Sequence, residues 1–155
     1  MKTAILYASV HHGNTKKVAE AMAETLSADL FDLTKESDID ISGYDLIGLA
    51  SGIYYFNMHK SIRKFAQAAA FRPEQKVFLV CTCGAEGKDY TKSVRKILED
   101  KQVEVLDGFR CRGFDTFGPL ALFGGVAKGR PNAEDLDRAR EYAKNLIPAN
   151  GEPEC

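Results

Sequence analysis

The segment Ser9-Val10-His11-His12-Gly13-Asn14-Thr15 sets two adjacent imidazoles, a glycine and three short hydrogen-bonding side chains between an apolar run and a stretch with helical spacing. Imidazoles in such a turn can ligate a metal, act as a base or receive an anion. A metal needs more ligands, and the only other histidine, His59, has no cysteine or carboxylate constellation beside it, so no metal site is expected. An anion fits better. The unpaired amides of a helix start carry roughly half a positive charge, Ser9, Asn14 and Thr15 can add side-chain donors, and Gly13 lets the backbone come close. A phosphate dianion there would favour the charged imidazole over its reference pKa of ~6.5. The lone glycine excludes the G-x-x-x-x-G-K-[ST] nucleotide loop and the three-glycine dinucleotide turn. Taken alone, Gly13-Asn14-Thr15 is equally compatible with simple helix capping.

Two further segments add to this one. In SGIYYFN, residues 51–57, Ser51, Gly52 and Ile53 lead to Tyr54, Tyr55 and Phe56 at a strand end, where outward rings suit a flat heterocycle. In the turn after the fourth strand, Cys83, Gly84 and Ala85 offer backbone N–H groups and little bulk, enough to edge such a ring.

The elements that position these loops alternate regularly. Residues 3–8 form a continuous apolar run, as in a strand covered on both faces, and residues 14–27 carry Val18, Met22 and Leu26 at helical spacing. A short strand at 29–33, a polar segment and a strong strand at 44–50 follow. A helix over 58–70 has Ile62, Phe65, Ala66 and Ala69 on one face and stops before Pro73. The strand at 76–83, a helix over 90–100 with Val94, Ile97 and Leu98 inward, and a fifth strand at 103–111 complete the alternation. Asn132 is the expected N-cap of the last helix, with Asp135 at its third position and Leu136, Ala139, Ala143 and Ile147 as the buried stripe. Five strands alternating with helices imply an α/β fold, a doubly wound five-stranded parallel sheet with helices on both faces. One domain over 1–147 and a loose tail over 148–155 are expected. In such a sheet ligands bind beyond the carboxyl ends of the strands, where strand order reverses.

The 21 Lys+Arg nearly cancel the 22 Asp+Glu, leaving a formal charge of -1 that gives no reason to expect nucleic acid or an anionic membrane as partner. The opening apolar run is too short for a membrane span and passes into the histidine loop without a cleavage site, so a cytoplasmic protein is expected. The four cysteines lack the spacing of a disulfide scaffold. Cys81, Cys83 and Cys111 read as buried small residues and Cys155 as an exposed thiol.

The segment ILYASVHHGNTKKVAEAMAE resembles the phosphate loop and first helix of the flavodoxin family, usually serine or threonine followed by T-G-N-T, and the order of elements resembles a short-chain flavodoxin throughout. The resemblance implies strand order 2-1-3-4-5 and non-covalently bound FMN. It implies phosphate contacts from Ser9, His11 or His12, Gly13, Asn14 and Thr15, the ring beside Ser51, Gly52, Ile53, Tyr54 and Tyr55, and its pyrimidine edge at Cys83, Gly84 and Ala85. It also implies electron transfer between redox partner proteins, the alternative being a small FMN-dependent oxidoreductase of quinone-reductase or protoporphyrinogen-oxidase type. The chain departs from the family in having histidines where threonine hydroxyls stand, one more residue in the loop, and a near-neutral charge instead of a strongly acidic one. It also lacks the acidic residue and tyrosine after the Cys-Gly pair, Tyr90 lying out of step by two residues. The long segment 112–130, rich in Phe114, Phe117, Pro119, Leu120 and Phe123, is expected to cover the flavin edge, dock a partner or form a homodimer surface.

Overall fold

All six residues of β1 (Thr3–Ala8) are buried, and they divide between two cores. Ala4, Leu6 and Ala8 face one, Ile5 and Tyr7 the other. A strand covered on both faces has no polar alternation, hence the continuous apolar run. The computed structural model describes residues 1–85, 87–116, 122 and 124–148. After β1 come α1 (Asn14–Leu26), β2 (Asp29–Asp32), β3 (Leu46–Tyr54), β4 (Asn57–Met58), α2 (Lys60–Ala68), β5 (Lys76–Cys83), α3 (Lys92–Asp100), β6 (Glu104–Val105), β7 (Phe109–Arg112) and α4 (Ala133–Leu146). The sheet runs β2-β1-β3-β5-β6 with every pairing on that path parallel, which is the expected doubly wound order. Helices α1 and α4 cover the core around Ile5, Phe78 and Val80, and α2 and α3 the core around Leu6, Leu49 and Leu79.

Several boundaries differ from the sequence reading, most by one or two residues. The third strand does not end at 50; it runs to Tyr54 and folds back on β4, with Ile53 opposite Met58 and Tyr54 opposite Asn57. The expected open loop is therefore a hairpin. Its turn residues Tyr55 and Phe56 have φ of 48° and 64°, the type I′ arrangement that Asn-Gly normally supplies. Because β4 takes residues 57 and 58, α2 starts at Lys60, with the His59 side chain accepting from the Ser61 N–H at 3.1 Å as its cap. The fifth strand is split: Val105 pairs with Val77 but Phe109 with Val80, so the register advances by one residue, as at a bulge. Ile147 is not part of the buried stripe. It is extended and 38 % exposed, because a residue before proline is driven out of the helical region and Pro148 follows.

The start of α4 is as expected. Asn132 Oδ1 accepts from the Asp135 N–H at 3.0 Å and the Asp135 carboxylate accepts from the Asn132 N–H at 2.9 Å, a capping box. Phe117, Pro119, Leu120, Phe123, Cys155 and the rest of 149–155 lie outside the described residues. Among the described residues no helix is long and apolar enough to cross a membrane.

Candidate functional site

Since β3 pairs with β1 on one side and β5 on the other, the segments that follow these three strands share one edge of the sheet. That edge lies where strand order reverses.

At this edge α1 begins on Gly13, a left-handed residue with φ 65°, and no side chain caps it. Its first internal bond runs from the Lys17 N–H to the Gly13 carbonyl at 3.0 Å, so the amides of Asn14, Thr15 and Lys16 lie ahead of any intrahelical acceptor. No acidic residue sits in this first turn to offset the helix dipole. Two side chains expected to donate to a ligand are engaged with the protein instead. Asn14 Nδ2 donates to the Phe114 carbonyl at 2.8 Å, and Thr15 Oγ1 lies 2.9 Å from Thr82 Oγ1. The threonine pair is nonetheless informative. Two hydroxyls bring two protons, the shared bond uses one, and neither hydroxyl has another partner among the described residues. One proton is thus left to point out of the pair, in a small cavity of about 40 Å³ that both residues line. Ser9 Oγ is likewise buried without a partner. Uncommitted donors at an uncapped helix start call for an acceptor from outside the chain.

The segment after β7 closes over this start. The Gly113 N–H donates to the Cys83 carbonyl at 2.9 Å, the Phe114 N–H to Arg130, and Asp115 and Val126 exchange backbone bonds. His12 Nε2 lies 2.9 Å from Thr116 Oγ1 and its ring 4.4 Å from the Phe114 ring. His12 is therefore a strut to the covering segment, while His11 lines the small cavity. Glycine is required at two contacts. A Cβ on Gly113 would come within 2.7 Å of Asn14 Nδ2, and one on Gly84 within 2.7 Å of the Asp115 Cβ. That second contact places the Asp115 carboxylate beside the Cys-Gly turn.

A wider groove of about 210 Å³ adjoins the small cavity, lined by Ile53 to Phe56, Cys83 to Ala85, Tyr90 and Asp115. Tyr54 belongs to both spaces. Its hydroxyl lies over Gly52 and accepts from the Val10 N–H at 3.3 Å, its ring meets His59 edge-on at 5.1 Å, and burial, with Asp115 adding to it, pushes the phenol pKa up. Tyr55 is 79 % exposed at the turn. Ser51 does not reach either space: it is fully buried, donates to the Gly52 carbonyl at 2.5 Å and accepts from the His59 N–H at 2.7 Å, fastening the hairpin. Tyr90, set aside in the sequence because of its spacing, is on the groove, its hydroxyl donating to the Ala85 carbonyl at 3.2 Å.

Cys81, Cys83 and Cys111 are buried and form no disulfide with one another; burial pushes the Cys111 thiol up to about 12, and the contact with Cys83 together with burial raises that of Cys81. Among the described residues no group of three or more His, Cys, Asp or Glu could hold a metal ion.

Sequence reasoning named Phe114 and the segment 112–130 as a candidate cover for the site but missed Thr82, Gly113, Asp115 and Thr116. A polar residue inside the apolar run KVFLVCTC was a signal for Thr82. The covering segment was marked by its length and aromatic content, but its individual contacts were not, since its partners lie about a hundred positions away.

The arrangement can take an anion at the helix start, beside a groove walled by aromatic side chains and the Cys-Gly turn. Residues 4–116 match the Flavodoxin domain family. The uncharacterised protein MJ0298 of Methanocaldococcus jannaschii is 41 % identical over 149 residues, covering 95 % of this chain and 99 % of that one. Among solved structures, oxidised flavodoxin 2 from Bacillus cereus superposes with a TM-score of 0.68 at 17 % identity, covering 93 % of this chain and 96 % of that one. A flavodoxin from Streptococcus pneumoniae TIGR4 gives 0.66 at 15 % identity, with 94 % and 97 % covered. These two likenesses concern the fold alone. With the family match spanning most of its length, the chain belongs to the flavodoxin domain family.

Proposed function

We propose that this chain binds FMN non-covalently at the edge formed by β1, β3 and β5 and carries electrons between redox proteins. The observation that carries the reading is the set of donors without acceptors at the start of α1: Ser9 Oγ, the spare proton of the Thr15–Thr82 pair and the first-turn amides. A phosphate monoester satisfies them together, with His11 as a further donor and a cation when protonated. The ring belongs in the groove, edged by Cys83, Gly84 and Ala85 and flanked by Tyr54 and Tyr55. The two spaces, about 40 and 210 Å³, together fall short of the roughly 300 Å³ at which small-ligand pockets begin. Admitting the ring therefore requires Tyr54 to turn outward, releasing the Val10 N–H and giving up its edge-on contact with His59. Bound FMN would supply the electron-transfer chemistry; the chain supplies position, exclusion of water and local charge.

The test is a titration of the apoprotein with FMN, followed by flavin fluorescence. Saturation at one FMN per chain is expected, and a chain that leaves the flavin signal unchanged refutes the proposal. Electron exchange with protein partners and no oxidation of NAD(P)H identifies a carrier, whereas rapid quinone reduction by NAD(P)H identifies an enzyme instead.

A further inference from the structure

Positive charge gathers on the outer side of the groove. Lys88 Nζ stands 5.0 Å from the centroid of the Phe56 ring, and Arg110 Nη1 donates to the Lys88 carbonyl at 3.3 Å. Lys88, Arg95 and Arg110 line a recess of about 200 Å³ together with Tyr90, which also lines the groove, and Lys92 opens α3 beside them. Several other surface cations have carboxylate partners, as in Lys16–Glu20, Arg72–Glu74, Lys76–Glu104 and Lys96–Asp100. Among the described residues, Lys88, Lys92, Arg95 and Arg110 form no ion pair. The Asp89 carboxylate lines the same recess and is felt by Arg95 and Lys92, but it is turned to the backbone and hydroxyl of Thr91, at 2.9 and 2.6 Å, and forms no ion pair with them. A net charge of -1 thus hides a local positive face.

Beside these cations, Tyr55 and Phe56 are 79 % and 71 % exposed. Exposed aromatic anchors rimmed by unpaired cations have the composition of an interface, with the rings supplying contact area and the charges steering and orienting the partner. The geometry points to a docking face for an acidic one-electron carrier protein, seated on the Tyr55–Phe56 turn and held by Lys88, Lys92, Arg95 and Arg110. This inference rests on the proposed flavin site, whose groove edge the partner would reach; one electron passes between its redox centre and the bound flavin, and no bond forms between the proteins. Four cations on a chain of net charge -1 give little field for a polyanion, whose affinity grows with the number of phosphates neutralised. A compact acidic protein needs only a local match.

The test uses the FMN-loaded, ¹⁵N-labelled chain and two probes, an oxidised acidic iron–sulfur ferredoxin and basic cytochrome c. Ferredoxin is expected to shift the amides of residues 55, 56, 88, 92, 95 and 110, with an affinity that falls as ionic strength rises from about 20 to about 500 mM. The double variant Lys88→Glu/Lys92→Glu, confined to exposed side chains, is expected to raise the ferredoxin Kd about tenfold, and adding Arg110→Glu to raise it further. FMN titrations of each variant should match the parent. Cytochrome c binding this face as tightly, a Kd indifferent to charge reversal, or displacement of ferredoxin by an oligonucleotide or anionic vesicles overturns the proposal. A parent chain that takes up no FMN but still binds ferredoxin at these residues overturns the functional reading and leaves the docking face standing.

Discussion

Replacing Thr15 and Thr82 by valine, singly and together, separates what the pair does for the fold from what it does for a ligand. Both residues are buried, at 1 % and 4 % exposure, and their oxygens are 2.9 Å apart. Valine keeps the shape and removes the hydroxyl. Either single change deletes one shared hydrogen bond and strands a buried hydroxyl, which costs roughly 1–3 kcal/mol, whereas removing both leaves nothing unsatisfied and should be close to neutral. The expected coupling is about 4 kcal/mol, each single variant lying about 2 kcal/mol below the double. For a chain of this size that gap is about 4–8 °C in Tm, readable by circular dichroism. FMN affinity should behave differently. If the spare proton donates to a phosphate oxygen, the double variant loses a charge-assisted bond worth roughly 1.5–3 kcal/mol, or about 10–100-fold in Kd, even though its stability has recovered. A double variant that binds FMN like the parent refutes the donor assignment. Additive destabilisation refutes the pairing.

Gly113→Ala pushes a methyl against the buried Asn14 side chain at 2.7 Å, straining the tether to the Phe114 carbonyl, and should destabilise by about 2–3 kcal/mol and weaken FMN binding together; denaturant melts and FMN titration check it. Asp135→Asn removes the charge that faces Arg130 and should lower stability at pH 7 by about 2–3 kcal/mol. The hydrogen bonds from Arg130 hold the Asp135 carboxyl below its usual pKa, so the parent's advantage is complete above the unfolded value of ~3.9 and is lost as pH falls through the folded value; urea melts from pH 7 to pH 2 should show the two proteins converging. His59 caps α2 through an unprotonated Nδ1, and burial, then Lys60 and Arg63, lower its pKa. A base depressed on folding gives stability that is present above the unfolded ~6.5 and lost as pH falls below it. His59→Asn, which keeps a capping oxygen, should therefore flatten the decline in Tm between pH 7 and pH 5; parallel declines would contradict the cap assignment.

The parts of the fold legible in the sequence are those whose cause is local. The unbroken apolar runs of β1 and β5 announce burial on both faces, and Asn132 with Asp135 announces a capping box that is present. The hairpin after β3 was not legible, because its turn holds Tyr-Phe where the local code would write Asn-Gly. Nor was the split of the last strand, since a one-residue bulge leaves the apolar pattern almost unchanged. At the site, the histidine loop and the two strand ends were found as three separate pieces. What fastens them was hidden, because Asn14 to Phe114, His12 to Thr116 and Gly84 to Asp115 are contacts between distant positions. Ser51 and Tyr90 exchange roles for a related reason. Proximity in sequence placed the serine at the groove, where its hydroxyl is used up by the hairpin, and spacing removed the tyrosine that the fold brings back.

The turn at Tyr55 and Phe56 has a consequence for anyone who engineers this chain. Left-handed backbone costs a residue with a side chain roughly 1–2 kcal/mol, so Asn-Gly at these two positions should give a sturdier hairpin. A heat-based selection, or a design protocol that scores folding alone, would pick this replacement among its first hits. The winner would melt higher and present a bare tip beside the groove, without the two rings that now stand in solvent. A deep mutational scan read out by expression and one read out by ligand capture should rank these two positions at opposite ends.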